Sequence, residues 1–90
     1  VKRQLKMIDE AEKLYLESLH MYRQIHGPDS NHSDIALVLA LCANNYRDAG
    51  EEEKAIVMYV ESLLMYREVE PDHENVPIII QNLADLGVQV

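Results

Sequence analysis

Ninety residues carry sixteen acidic and eight basic side chains, a formal charge of −8 with the four histidines neutral. A chain this short forms one domain at most, 1–90, and buries roughly two-thirds of its unfolded surface. The acidity argues against nucleic acid, whose phosphates must be met by a basic face, and against an anionic membrane surface. Phe and Trp are absent, so five Tyr, four Met and the aliphatic residues must fill the core.

The spacing predicts a first helix from about Lys2 or Arg3 to Ile25, with Ile8, Ala11, Tyr15, Ser18, Tyr22 and Ile25 on one face. Gly27-Pro28 ends it, since glycine accepts a left-handed turn and proline blocks further winding. Asp29-Ser30-Asn31-His32-Ser33 reads as a turn rich in capping residues, with Ser33 or Asn31 placed to start the next helix. The second helix is expected from about Asp34 to Asp48, with Ile35, Leu39, Cys42, Tyr46 and Ala49 inward and Gly50 closing it. A third runs from about Glu51 to Val69, its leading glutamates favoured by the helix dipole and its stripe Ala55, Tyr59, Ser62, Tyr66 and Val69. Pro71 stops it. The fourth, from about Asn75 to Leu86, carries Val76, Ile79, Ile80, Leu83 and Ala84, with Pro77 in the first turn, where a missing backbone donor matters little.

Cys42 is the single cysteine, which rules out an internal disulfide and suits a reducing, cytoplasmic setting. No run of apolar residues is long enough for a membrane span, and no leader pattern is visible. Both ends are expected to be cuts in a longer protein, because the chain starts in mid-pattern and stops in an apolar stretch.

One segment is written twice. Tyr15-Leu16-Glu17-Ser18-Leu19-His20-Met21-Tyr22-Arg23 returns as Tyr59-Val60-Glu61-Ser62-Leu63-Leu64-Met65-Tyr66-Arg67, identical at seven of nine positions and offset by 44 residues. The even helices repeat at 41, from Ile35 to Val76 and from Ala43 to Ala84, because the second connecting turn is three residues shorter. Turn length varies at little energetic cost while packed faces keep their phase, which is the signature of stacked helical hairpins.

Leu39, Cys42, Ala43, Tyr46, Gly50, Ala55, Tyr59 and Ser62 resemble the tetratricopeptide signature of large-large-small-aromatic followed by small-aromatic-small. The longer repeat is similar to the kinesin light chain type, on the strength of Ala11-Glu12-Lys13-Leu14-Tyr15, Leu19-His20-Met21-Tyr22, His26-Gly27-Pro28-Asp29 and the echo in Pro71-Asp72-His73. The resemblance implies an all-α fold of antiparallel hairpins stacked as a right-handed superhelix. One complete hairpin would lie at 34–69, with residues 1–25 and 75–90 belonging to its neighbours. Lys6 stands where such repeats usually end in glycine, leaving open whether the first helix runs on through it. Glu52 and Gly87 replace the usual aromatics, so the last helix is expected to be weakly packed.

The same resemblance implies a non-catalytic scaffold that binds a protein or peptide in a concave groove lined by the first helix of each hairpin. The candidate groove residues are Leu37, Ala40, Leu41, Asn44 and Arg47 on the second helix, and Ile78, Gln81, Asn82 and Asp85 on the fourth. Asn and Gln amides donate and accept together, and so can grip the backbone of an extended peptide. A carboxylate clamp of the kind some tetratricopeptide domains carry is not expected, because its lysine place is Ala40. Tryptophan-and-acid peptides of the kind kinesin light chains read would find only Arg47 as a basic partner. A competing expectation is self-association into a homo-oligomer through exposed solenoid ends, with Met21, Leu64, Ile79 and Val88 as interface residues.

His26, Asp29, His32 and Asp34 invite a metal, but their types are those of a capping turn and no second cysteine is available, so no metal or other cofactor is expected. Cys42 sits on an apolar stripe as a small core residue. Nothing nominates a catalytic acid, base, nucleophile or phosphate loop.

Overall fold

The computed structural model describes residues 2–27 and 32–89, apart from the side chains of residues 2–6. Four helices follow one another: α1 (Lys2–His26), α2 (Ser33–Asp48), α3 (Glu52–Val69) and α4 (Asn75–Asp85), with no strand among the described residues. α1 passes position 6 without a break, so the missing glycine does make one rod of it.

Each helix packs on the next in sequence, and α2 with α3 forms the most extensive contact. The result is an all-α array measuring 37 × 31 × 19 Å, thin in one direction because each hairpin adds a slice rather than surrounding a centre. α2 lies between α1 and α3 and is therefore apolar over most of its circumference, with Ile35, Ala36, Val38, Leu39, Ala40, Cys42, Ala43, Asn45 and Tyr46 all buried. α3 buries the narrower face Ala55, Tyr59, Ser62, Leu63 and Tyr66, while α4 commits Ile79 and Leu83. The small side chains of Ala36, Ala43, Ala55 and Ser62, all fully buried, let α2 and α3 approach closely. There the Ser62 hydroxyl donates to the Ala36 carbonyl at 2.6 Å. A buried hydroxyl with a partner removes the desolvation penalty that a bare one would carry.

Several sequence expectations change at the helix ends. Ile25 and Val69, placed on the buried stripes, are 69% and 40% exposed, because each lies in the last turn, beyond the reach of its neighbour. Ala84 is also exposed. Leu19 and Leu63, which belong to no predicted stripe, are buried one helical step from Tyr15 and Tyr59. The cap of α2 is neither Ser33, which begins the helix, nor Asn31, which lies outside the described residues. It is His32, whose Nδ1 accepts the backbone N–H of Asp34 at 3.1 Å. His73 does the same for Asn75 at 3.0 Å, so the two turns of unequal length start their helices by one device.

Gly50 adopts φ +81° between α2 and α3. Its N–H donates to Arg47 and the N–H of Glu51 reaches back to Tyr46, the paired bonds that satisfy the last carbonyls of a helix. Gly87 ends α4 in the same way, with bonds to Ala84 and Leu83. Standing where Tyr46 stands in the earlier repeat, it stops α4 after 11 residues against the 16 of α2.

Candidate functional site

α2 and α4 share little direct packing, and one side-chain contact joins their outer faces. Their link is a hydrogen bond from Arg47 Nη1 to Asn82 Oδ1 at 3.0 Å, made by residues 35 apart in sequence. One turn earlier on α2, the Tyr59 hydroxyl of α3 donates to Asn44 Oδ1. Gln81 Nε2 donates to Asp85 Oδ1 at 3.0 Å along α4.

These bonds decide what the surface can offer. Each asparagine carries one acceptor oxygen and one NH2 with two donors. Asn44 accepts from Tyr59 and Asn82 accepts from Arg47, one bond to each oxygen, so each keeps its NH2 group and a second lone pair for a further partner. Two fixed amide donors on α2 and α4 suit carbonyl acceptors spaced along an extended backbone. Arg47 is half-buried and held by a neutral amide, which leaves its positive charge uncompensated by that contact. Leu37 and Ile78 flank the row, 42% and 55% exposed, and Leu41 is half-buried.

Of the nine candidate groove residues, Ala40 is the one the structure removes from the surface. It is 7% exposed and packed into the core, because α2 is covered on two sides. Gln81 and Asp85 are exposed but pair with each other rather than with α2. Sequence reasoning missed Asn45, which is buried and donates from Nδ2 to the Ile8 carbonyl of α1 at 2.9 Å. The doublet Asn44-Asn45 carried the only hint: two adjacent asparagines on a helix must face different neighbours.

Cys42 lies on α2 beneath α1. Burial, reinforced by the Glu12 carboxylate, pushes its thiol up to about 11 from an ordinary 9.0, so it stays protonated at neutral pH and is a poor nucleophile. Tyr46 is pushed up to about 12 by burial and then by Glu12. Tyr59 and Tyr66 are raised mainly by burial.

At the other end of α2 the structure draws His26, His32 and Asp34 together, with one possible ligand atom from each within 4.8 Å of the others. Asp29, the fourth residue of that sequence cluster, lies outside the described residues. No helix of the described residues is long and apolar enough to cross a membrane.

The tetratricopeptide repeat family model matches residues 3–34, which are 32 of the 90 residues and span α1, the turn and the start of α2. Comparisons with curated proteins and with solved structures give no significant match. That family generally mediates protein–protein contacts and is generally non-catalytic. Over residues 3–34 the chain is similar to the tetratricopeptide repeat, and the four-helix all-α array is consistent with that likeness.

Proposed function

We propose that this chain is a non-catalytic, cytoplasmic scaffold segment that holds an extended peptide or partner protein along the α2–α4 face. The observation that carries the reading is the network of Tyr59–Asn44 and Arg47–Asn82 contacts, which leaves two oriented amide donors and one cationic group on a shared surface. Leu37, Leu41 and Ile78 supply apolar contacts beside them, and Gln81 and Asp85 form the outer rim. The kinesin light chain type is the subfamily we favour, supported by the 44-residue interval between the two tyrosine-bearing segments. A buried, unreactive Cys42 suits a reducing compartment.

Self-association is the second reading, favoured by the exposed apolar stripe Met7, Leu14, Met21 and Ile25 on α1. Of the interface residues expected for it, Met21 and Leu64 are exposed, Val88 is half-buried and Ile79 is a core residue at 1% exposure, which removes it from any interface.

Peptide-display selection on the wild-type chain and on Asn44→Ala/Asn82→Ala tests the groove. A shared motif enriched on the wild type and lost on the double variant, with helicity retained by circular dichroism, supports it. Enrichment indifferent to both changes, or none at all alongside a concentration-dependent mass in sedimentation, transfers the function to self-association.

A further inference from the structure

The turn between α1 and α2 gathers three metal-binding side chains from positions with no standard metal spacing. His26 is the last residue of α1, His32 caps α2, and Asp34 lies in the first turn of α2. His26 Nε2 is 4.0 Å and His32 Nδ1 is 3.6 Å from Asp34 Oδ2, and the two imidazole rings stack with centroids 3.8 Å apart. They form the one such group of three among the described residues.

We propose that His26, His32 and Asp34 form a binding site for a divalent transition metal, with Zn2+ as the reference ion. This inference is independent of the α2–α4 groove. Two imidazole nitrogens and one carboxylate oxygen are a borderline donor set that suits zinc and its first-row neighbours rather than calcium or magnesium. Tetrahedral bonds of about 2.0–2.2 Å separate neighbouring ligand atoms by roughly 3.3–3.6 Å. Asp34 Oδ2 lies 3.6 and 4.0 Å from the two imidazole nitrogens, close to that separation, and one ligand atom of each residue lies within 4.8 Å of the others.

The ring stack has to open, since the nitrogen lone pairs lie in the ring planes and parallel rings do not aim at one point. Both rings stand at helix ends and are partly exposed, 25% for His26 and 39% for His32, and metal binding requires them to rotate out of the stack. A metal taken by His32 Nδ1 would replace the Asp34 cap hydrogen bond, whereas Nε2 would leave it in place. Three protein ligands leave a position for water or for a donor from a bound partner.

The second turn is an internal control. His73, one residue before the N-cap Glu74, accepts the Asn75 N–H much as His32 accepts that of Asp34, but Glu70 occupies the repeat position of His26, leaving His73 with one carboxylate partner at 3.8 Å.

The test is a calorimetric titration of the chain with Zn2+, and of Co2+ by its visible absorption. The expected result is one metal per chain with tetrahedral cobalt bands. Affinity should fall at least about tenfold in His26→Ala and in Asp34→Asn and stay unchanged in His73→Ala. Asp34→Asn, at an exposed position, preserves shape if His26→Ala fails to fold. No saturable binding, or binding equal in wild type and Asp34→Asn, overturns the proposal.

Discussion

α1 and α3 carry nearly the same nine residues yet meet different surroundings. In α3, Tyr59, Ser62 and Tyr66 have no exposed surface and Leu63 is 2% exposed. In α1, Leu19 is buried, but Tyr15, Ser18 and Tyr22 keep part of their surface. The cause is the number of neighbours: α3 is packed on both α2 and α4, whereas among the described residues α1 packs chiefly on α2. A repeat motif specifies which side chains are able to be buried; the adjoining helices determine how deeply.

Truncation of the paired tyrosines tests this difference with the largest expected effect. Tyr59→Ala should destabilise the fold by about 3–5 kcal/mol, the range for emptying a large buried aromatic site, and Tyr15→Ala by about 1 kcal/mol. Urea unfolding of both variants reads the gap, and equal values would break the comparison. Enlarging the paired serines sharpens it. Ser62→Leu drives a branched side chain into the α2 contact and should lose about 1–3 kcal/mol, whereas Ser18→Leu should change little.

Alkali probes the α1–α2 contact. The folded Cys42 and Tyr46 groups are raised to about 11 and about 12 from 9.0 and 10.0, so the folded state holds these protons longer than the unfolded one. Their contribution is complete below pH 9 and is lost as pH rises through 11 and 12, a fall on the order of 2–3 kcal/mol for each group. Denaturant titrations at stepped pH should show it, and Glu12→Gln should make the fall smaller with the same onset, because losing the α1 carboxylate brings the folded values closer to the unfolded ones. The smallest effect belongs to the histidine caps. His32→Ala and His73→Ala should each lose about 1 kcal/mol. The loss at His73 should be the larger, because its ring stacks on fully buried Tyr66 whereas that of His32 stacks on half-buried His26, and thermal melts of the two variants compare them.

Much of the fold was legible because helix periodicity and the doubled segment are local signals. The helix order, the buried Tyr59 and Tyr66, and the stop at Gly50 all follow from spacing and backbone chemistry. Ile25, Val69 and Ala84 were misplaced because periodicity knows the phase of a helix but not where its neighbour ends. Ala40 was assigned to the groove because a two-sided helix looks amphipathic until its second partner is present. Asn44, Arg47 and Asn82 were named as surface groups, but the bonds that fix their free donors depend on α2, α3 and α4 together. The histidine caps were missed because Ser, Asn and Asp are the commoner helix starters, and imidazole Nδ1 does the same work here.

The short link at Gly50 bears on the order in which the chain assembles. α2 ends at Asp48 and α3 begins at Glu52, so the most extensive helix contact in the molecule closes over a minimal loop. Closing a short, pre-turned loop loses little chain entropy, and contacts between sequence neighbours form fastest. The α2–α3 hairpin is therefore the expected folding nucleus. Substitutions at Leu39 and Leu63 should slow folding, whereas those at Tyr15 should chiefly hasten unfolding.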